Sequence, residues 1–283
     1  MLGFYCINKP TGMGSTQVVS KVKWLTKQKC GHLGTLDPMA SGVLPVAVGK
    51  ATKLFDYFLS KDKEYFAISK FGIETDTLDS EGKIVRTSNK VIQKTQIDKV
   101  IPQFLGKIDQ IPPKYSSVKV SGAAAYQLAR AGKNIKLPSR KVEIYNLACQ
   151  KLKTNLFAFK IHCSAGTYVR SLVSDIAKAV GSVATTVCII RTRSGKFDIS
   201  NSSTLQELES GNVKLVSVAE VVDLPKIVAN NEQCQKLLAG QTIETTCQDG
   251  DYLCYYNSNA LGIVQSKDKQ LKVKINLWEY SND

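Results

Sequence analysis

Apolar and polar positions along the chain switch between a period of two and a period near 3.6. Leu2–Asn8 is an apolar run of strand length, and the KPTGMGS that follows is rich in turn formers. With Ser15 as N-cap, a helix is expected through about Gln28, because Val18, Val19, Val22 and Leu25 fall on one face. Gly42–Gly49 reads as an apolar strand, followed by a short amphipathic helix over 51–59. Tyr65–Ile73 is a further strand, the Asp79-Ser80-Glu81-Gly82 turn leads into another, and Thr95–Leu105 has helical spacing. Strands are expected near 142–153 and 156–164. A helix then starts near Tyr168, with Val169, Leu172, Val173, Ile176, Ala177 and Val180 on one face and Gly181 closing it. After Leu224-Pro225 the pattern changes to a short helix near 232–239 and alternating strands up to Trp278. A domain boundary is therefore placed near 225, with a small β-rich unit over 226–283.

The length of 283 residues suits one large or two smaller domains, and 43% hydrophobic residues can fill a core. That composition argues against a disordered or collagen-like chain. No apolar stretch approaches the ~18–20 residues of a membrane span, and the N-terminus lacks the basic region and cleavage site of a signal peptide. Neither membrane nor export is expected. The formal net charge is +14, which favours densely anionic partners, nucleic acid first, with solubility as the bland alternative. Eight cysteines contain no C-x-x-C, and His32 and His162 stand far apart. No zinc site is expected, and reduced thiols in a cytoplasmic protein are the better reading.

Three motif-like stretches fail on their own chemistry. Gly12-Met13-Gly14-Ser15-Thr16-Gln17 follows a strand and opens a helix, but Gln17 stands where a dinucleotide fingerprint needs its third glycine. Between Gly42 and Gly49-Lys50-Ala51 the gap is six residues instead of four, and Ala51 replaces the hydroxyl that would hold magnesium. The acidic run Glu74, Asp76, Asp79, Glu81 does not fit a calcium loop and reads as a solvated turn. No metal and no nucleotide cofactor are expected.

The segment from Gly31 to Gly42, GHLGTLDPMASG, is more informative. Asp37 is the only acid among the first 55 residues, which also hold seven lysines, and three glycines and a proline specify the backbone path around it. Two readings fit that pattern: a functional carboxylate, or a structural aspartate in an Asx-type turn before Pro38. A functional carboxylate in a partly dry pocket needs a cation to stay ionised. Arg170, at a strand-to-helix junction in SAGTYVR, is the candidate; a surface arginine on an opening helical turn is its alternative.

KPTGMGST, GHLGTLDPMASGVLP, KEYFA, GIETDTLDSEG, IPPKYSSVKVSG with AYQLAR, SAGTYVRSL and IRTRSG occur in this order. Together they resemble the bacterial tRNA pseudouridine synthase B (TruB) family, from about Phe4 to Gly195 and more weakly beyond. The family isomerises uridine 55 in the T loop of tRNA. The resemblance implies an α+β fold: a large mixed, mainly antiparallel sheet flanked by helices, an active cleft across its middle, and a PUA-like RNA-binding domain at the C-terminal end. It implies Asp37 as the catalytic carboxylate and Arg170 as its partner. Tyr65 would stack on the target base and relay the C5 proton, although a core strand aromatic is its plain alternative. Tyr168 and Ile189 would line the nucleotide pocket, and His32 would stack into the space left by the flipped nucleotide. Lys9, with Pro10, belongs to a motif that supports the active-site loop and is placed among the substrate-binding residues.

From 110 to 142 the chain carries seven Lys or Arg and no acid. The resemblance assigns this segment to gripping the tRNA T arm, with Lys114, Lys119, Arg130, Lys133, Lys136, Arg140 and Lys141 as candidate phosphate contacts. A solvated basic face is the alternative for many of them. Ala123, Ala124, Ala165 and Ile190 depart from the basic residues common in relatives, which bears on RNA affinity more than on chemistry. The resemblance also implies no cofactor; a cytoplasmic monomer acting on the T stem-loop is the expected form. The carboxylate could attack the sugar or first abstract a sugar proton to give a glycal. The sequence does not choose, and the glycal route is adopted as the hypothesis.

Overall fold

The structure is a computed structural model that describes residues 1–120, 122–133 and 135–279. Its strands are β1 (Gly3–Lys9), β2 (Cys30–His32), β3 (Ser41–Val48), β4 (Lys63–Phe71), the hairpin β5 (Ile73–Thr75) and β6 (Ile84–Thr87), and β7 (Gly106–Gln110). They continue with the short pair β8 (Lys119–Val120) and β9 (Ala123–Ala124), then β10 (Arg140–Lys153), β11 (Leu156–Cys163), β12 (Ala184–Ser194) and β13 (Phe197–Asp198). The main sheet has the order β1-β3-β12-β4-β11-β10-β7, with β2 beside β3 and β13 beside β12. Its ladders are antiparallel except where β12 meets β3 in parallel, Ile190 opposite Ser41 and Arg191 opposite Gly42. This confirms the expected α+β class.

β1 and β3 are apolar along nearly their whole length because both faces of that part of the sheet are covered. Tyr5, Ile7, Leu44, Val46 and Val48 point into one core with helices α1 (Ser15–Thr26) and, beyond α2 (Phe55–Leu59), α3 (Lys94–Val100) and α4 (Ala125–Arg130), α5 (Val169–Ala179). Phe4, Cys6, Val43 and Ala47 point into a second core. Leu253 and Ile263 of a separate five-stranded sheet, with Leu277 just past its last strand, fill that second core. This C-terminal sheet contains β14 (Lys226–Val228), β15 (Ile243–Glu244), β16 (Gly250–Tyr256), β17 (Asn259–Lys267) and β18 (Gln270–Asn276). The change of sheet falls just after Pro225, and the apolar contact across it is continuous.

Two local expectations shift. Gly14, not Ser15, is the N-cap of α1, and the helix stops at Thr26, where Lys27 turns left-handed (φ 53°). The strand expected over 65–73 runs over Lys63–Phe71 and breaks at Gly72, whose φ of +93° and closeness to the Ser88 carbonyl admit only glycine.

Candidate active site

A cavity of about 550 Å³ opens where the loop between β2 and β3, the strands β4 and β12, and the start of α5 converge. Asp37 lies on that loop. Arg170 lies in the first turn of α5, and its Nη2 stands 2.7 Å from Asp37 Oδ2. The guanidinium side chain is only 3% exposed, whereas Asp37 keeps 35% of its side chain open to the cleft. The two residues singled out from sequence therefore meet, with the arginine behind and the carboxylate in front.

Arg170 has further partners. Its Nη1 donates to Asp79 Oδ2 and to the Thr77 carbonyl, both at 2.9 Å, and Nη2 donates to the Tyr115 carbonyl at 3.0 Å. Asp79 is buried, which overturns its reading as part of a solvated turn. Its Oδ1 accepts from Thr77 Oγ1 at 2.5 Å and from the Glu81 amide at 3.1 Å. Leu78, at a φ of +61°, turns the chain immediately before it.

One guanidinium thus serves two carboxylates, and this changes the expected electrostatics of Asp37. Burial pushes its pKa above the ordinary carboxylate range, Arg170 pulls it back, and the Asp79 charge raises it again. The expectation that the arginine alone holds it low is corrected. Desolvation wins, so Asp37 is a stronger base than a free aspartate.

The loop carrying Asp37 is tied down residue by residue. Ser15, freed from capping, donates its Oγ to the Leu36 carbonyl at 2.8 Å and accepts from the Leu36 amide at 2.9 Å. Lys9 is wholly buried beneath the loop, and its Nζ donates to the carbonyls of Pro10, Met13 and Pro38 at 2.8, 2.6 and 3.2 Å. Burial lowers its pKa to about 8. Lys9 is not on the cavity wall, so its placement among the substrate-binding residues is corrected: it props the loop.

Tyr65, Tyr168 and Ile189 all line the cavity. Burial pushes the Tyr65 phenol above its usual pKa. Tyr168 is fixed by Gln110, which accepts from its amide at 2.8 Å and donates to its carbonyl at 3.1 Å. Arg140, expected to grip RNA phosphates on the basic segment, is also on the cavity wall, its guanidinium carbon 5.5 Å from the Tyr168 ring centroid. His32 is half-buried on β2 and is not part of the wall; burial, then Arg191, lowers its pKa.

Lys114, Lys119, Arg130, Lys133, Lys136 and Lys141 are exposed, with Lys141 3.4 Å from Asp109. Ala165 lines the cavity, whereas Ile190 lines a hollow on the opposite face of the sheet, so the arginine missing there is not lost from the site. Sequence reasoning missed Asp79, Gln110 and the buried Arg191 beside Tyr65. Only for Asp79 was there a signal, an acid directly after a turn.

The fold and this site define a class of nucleoside-modifying enzyme. Solved structures share the fold: an H/ACA RNP bound to a substrate RNA containing 2′-deoxyuridine has a TM-score of 0.72 at 22% identity, over 98% of this chain and 85% of that one. A Cbf5-Nop10-Gar1 complex gives 0.72 at 23%, over 98% and 84%. Residues 22–169 match the model of the TruB family pseudouridylate synthase N-terminal domain. The tRNA pseudouridine synthase B of Clostridium kluyveri is 39% identical over 284 residues, covering 96% of this chain and 98% of its own. That of Francisella philomiragia is 44% identical over 224 residues, covering 77% and 74%. The chain belongs to the TruB family of pseudouridylate synthases.

Proposed function

We propose that this enzyme isomerises uridine 55 in the T loop of tRNA, with Asp37 acting on the sugar of a flipped-out nucleotide. The observation that carries this reading is the 2.7 Å pair between Asp37 and the buried Arg170 on the wall of a cavity that Tyr65 and Ile189 share. The cavity can take one extruded nucleotide, with Tyr65 stacked on the base and Ile189 as an apolar wall. Arg170 fixes the carboxylate's direction, and desolvation strengthens it as a base, which suits it to take the sugar proton in the glycal route. The base then rotates and rejoins through C5.

The exposed cations between 114 and 141 meet the phosphates of the T arm, while Arg140, stacked on Tyr168, contacts the target nucleotide itself. Residues 226–279 form a PUA-like module that adds RNA contacts. The enzyme works as a cytoplasmic monomer and, since isomerisation involves no net redox change, uses no cofactor. The test is to incubate the protein with an unmodified T-arm hairpin and map the product. Pseudouridine at the position of uridine 55 is expected. Free uracil would instead indicate hydrolysis, and binding without conversion a non-enzymatic RNA-binding protein.

A further inference from the structure

Arg191 is among the largest fully buried side chains, at 1% exposure, yet it is held almost entirely by backbone. Its Nε donates to the Val43 carbonyl at 2.7 Å, Nη2 to Gly34 at 3.0 Å and Nη1 to Thr35 at 3.3 Å. Gly34 and Thr35 lie on one side of Asp37 in the chain and Val43 on the other, so one side chain spans the loop. On β12 it stands opposite Tyr65 of β4 on one side and Gly42 of β3 on the other. A Cβ at Gly42, where φ is +98°, would lie 2.3 Å from the Arg191 carbonyl oxygen, so only glycine allows this approach.

Among the described residues no carboxylate pairs with Arg191, so its charge is uncancelled. Among the described residues of the cavity wall, Asp37 and Asp56 face Lys63, Arg140, Arg170 and Arg191, two negative groups against four positive ones, and the buried Asp79 and Lys9 behind them add one of each sign. Burial, then Arg191, draws Lys63 down to about 8. A buried cationic surplus of this kind is matched only when an anion enters or forms.

The isomerisation forms one. When the N1–C1′ bond breaks, both electrons leave with the base as a uracil anion. In the glycal route Asp37 holds the C2′ proton in the meantime; C5 then bonds to C1′ as that proton returns to C2′, the C5 proton departs and N1 gains one, leaving atoms and charge balanced. We propose that Arg191, on the cavity wall beside Tyr65, stabilises the uracil anion between cleavage and rejoining. This rests on the isomerase reading above and adds to it a residue outside the Asp37–Arg170 pair.

Arg191→Gln keeps a donor and removes the charge, whereas Arg191→Lys keeps the charge. Single-turnover conversion of a T-arm hairpin should slow about 100-fold in the glutamine variant, with RNA affinity unchanged, while the lysine variant recovers at least about tenfold of that loss. A glutamine variant within about threefold of the parent, or a lysine variant no faster than the glutamine one, would overturn the proposal. The charge is also read without turnover. His32 should titrate higher by NMR in Arg191→Gln, and an unmoved His32 would contradict the field assigned to Arg191. Should either variant fail to fold, the parent protein can be titrated with 5-nitrouracil, a pyrimidine that ionises readily. Binding should tighten as the compound loses its proton, below the range where Lys9 and Lys63 lose theirs; indifference to that ionisation would count against the idea. A parent protein that made no pseudouridine would remove the isomerase reading, and the last two measurements would still decide whether Arg191 presents its charge to the cavity.

Discussion

Replacing Asp79 by asparagine tests whether one buried guanidinium needs both of its carboxylates. The Arg170 and Asp79 side chains are 3% and 6% exposed at 2.9 Å, so solvent screens the pair little. Removing one partner of such a pair typically costs about 3–5 kcal/mol. An asparagine oxygen can still accept from Arg170, but the amide group can no longer satisfy both Thr77 and the Glu81 amide. The expected loss is therefore about 3 kcal/mol, at the low end of that range, with Asp79→Ala costing more. The sign of a second effect is fixed too. The Asp79 charge raises the Asp37 pKa, so its removal lowers it, and the acid limb of the pH–rate profile should move to lower pH. Freed on one side, Arg170 aims Asp37 less well, and single-turnover conversion should slow by about 10–100-fold even where the carboxylate is fully ionised. Denaturant unfolding and a pH–rate profile on the same T-arm hairpin read both. Unchanged stability together with an acid limb that stays in place or moves up would refute the shared-arginine account.

Asp37→Asn should be at least as stable as the parent at pH 8. The fold raises the Asp37 pKa, so ionisation costs stability above the folded pKa, and that cost disappears as the pH falls below the unfolded value; paired unfolding curves at pH 8 and pH 4 would show the gap closing, and a variant weaker at pH 8 would contradict it. Parent activity, which needs the carboxylate, should fall as acid titrates a group above the ordinary aspartate range. Changing Lys114, Lys119 and Arg130 together to alanine should flatten the dependence of log affinity on log salt by about 2–3, read by filter binding, if all three meet phosphates. Gly42→Ala should destabilise the fold by more than about 2 kcal/mol because its Cβ collides with the backbone of Arg191; a neutral effect on unfolding would mean that β3 and β12 are free to part.

Much of the site could be read from the sequence because its signals are local. Asp37 stood alone among lysines in a glycine-rich loop, and Arg170 sat where a strand gives way to a helix. What escaped was decided by long-range packing. Asp79 shares its run with the exposed Glu81 and half-buried Glu74 and Asp76, and only an arginine 91 residues away shows which acid turns inward. Ser15 has the right chemistry for an N-cap, but the closeness of the Leu36 backbone gives it a different partner. Lys9 and Arg140 are ordinary basic residues in sequence; one is buried under a loop and the other lies against an aromatic ring in the cavity. Arg191 depends on a parallel contact between β12 and β3, to which no local periodicity points. The change of sheet near 225 was legible from Leu224-Pro225, while the apolar core joining Phe4 to Leu253 and Leu277 was not.

The central claim is that Asp37, aimed by Arg170, starts the exchange of one glycosidic bond for another. Its most direct test is tritium release from a T-arm hairpin labelled at C5 of its uridines, measured under single turnover for the parent and for Asp37→Asn. The account predicts one equivalent released by the parent, none by the variant, and equal RNA affinity for both. Release by the variant at the parent's rate would contradict it.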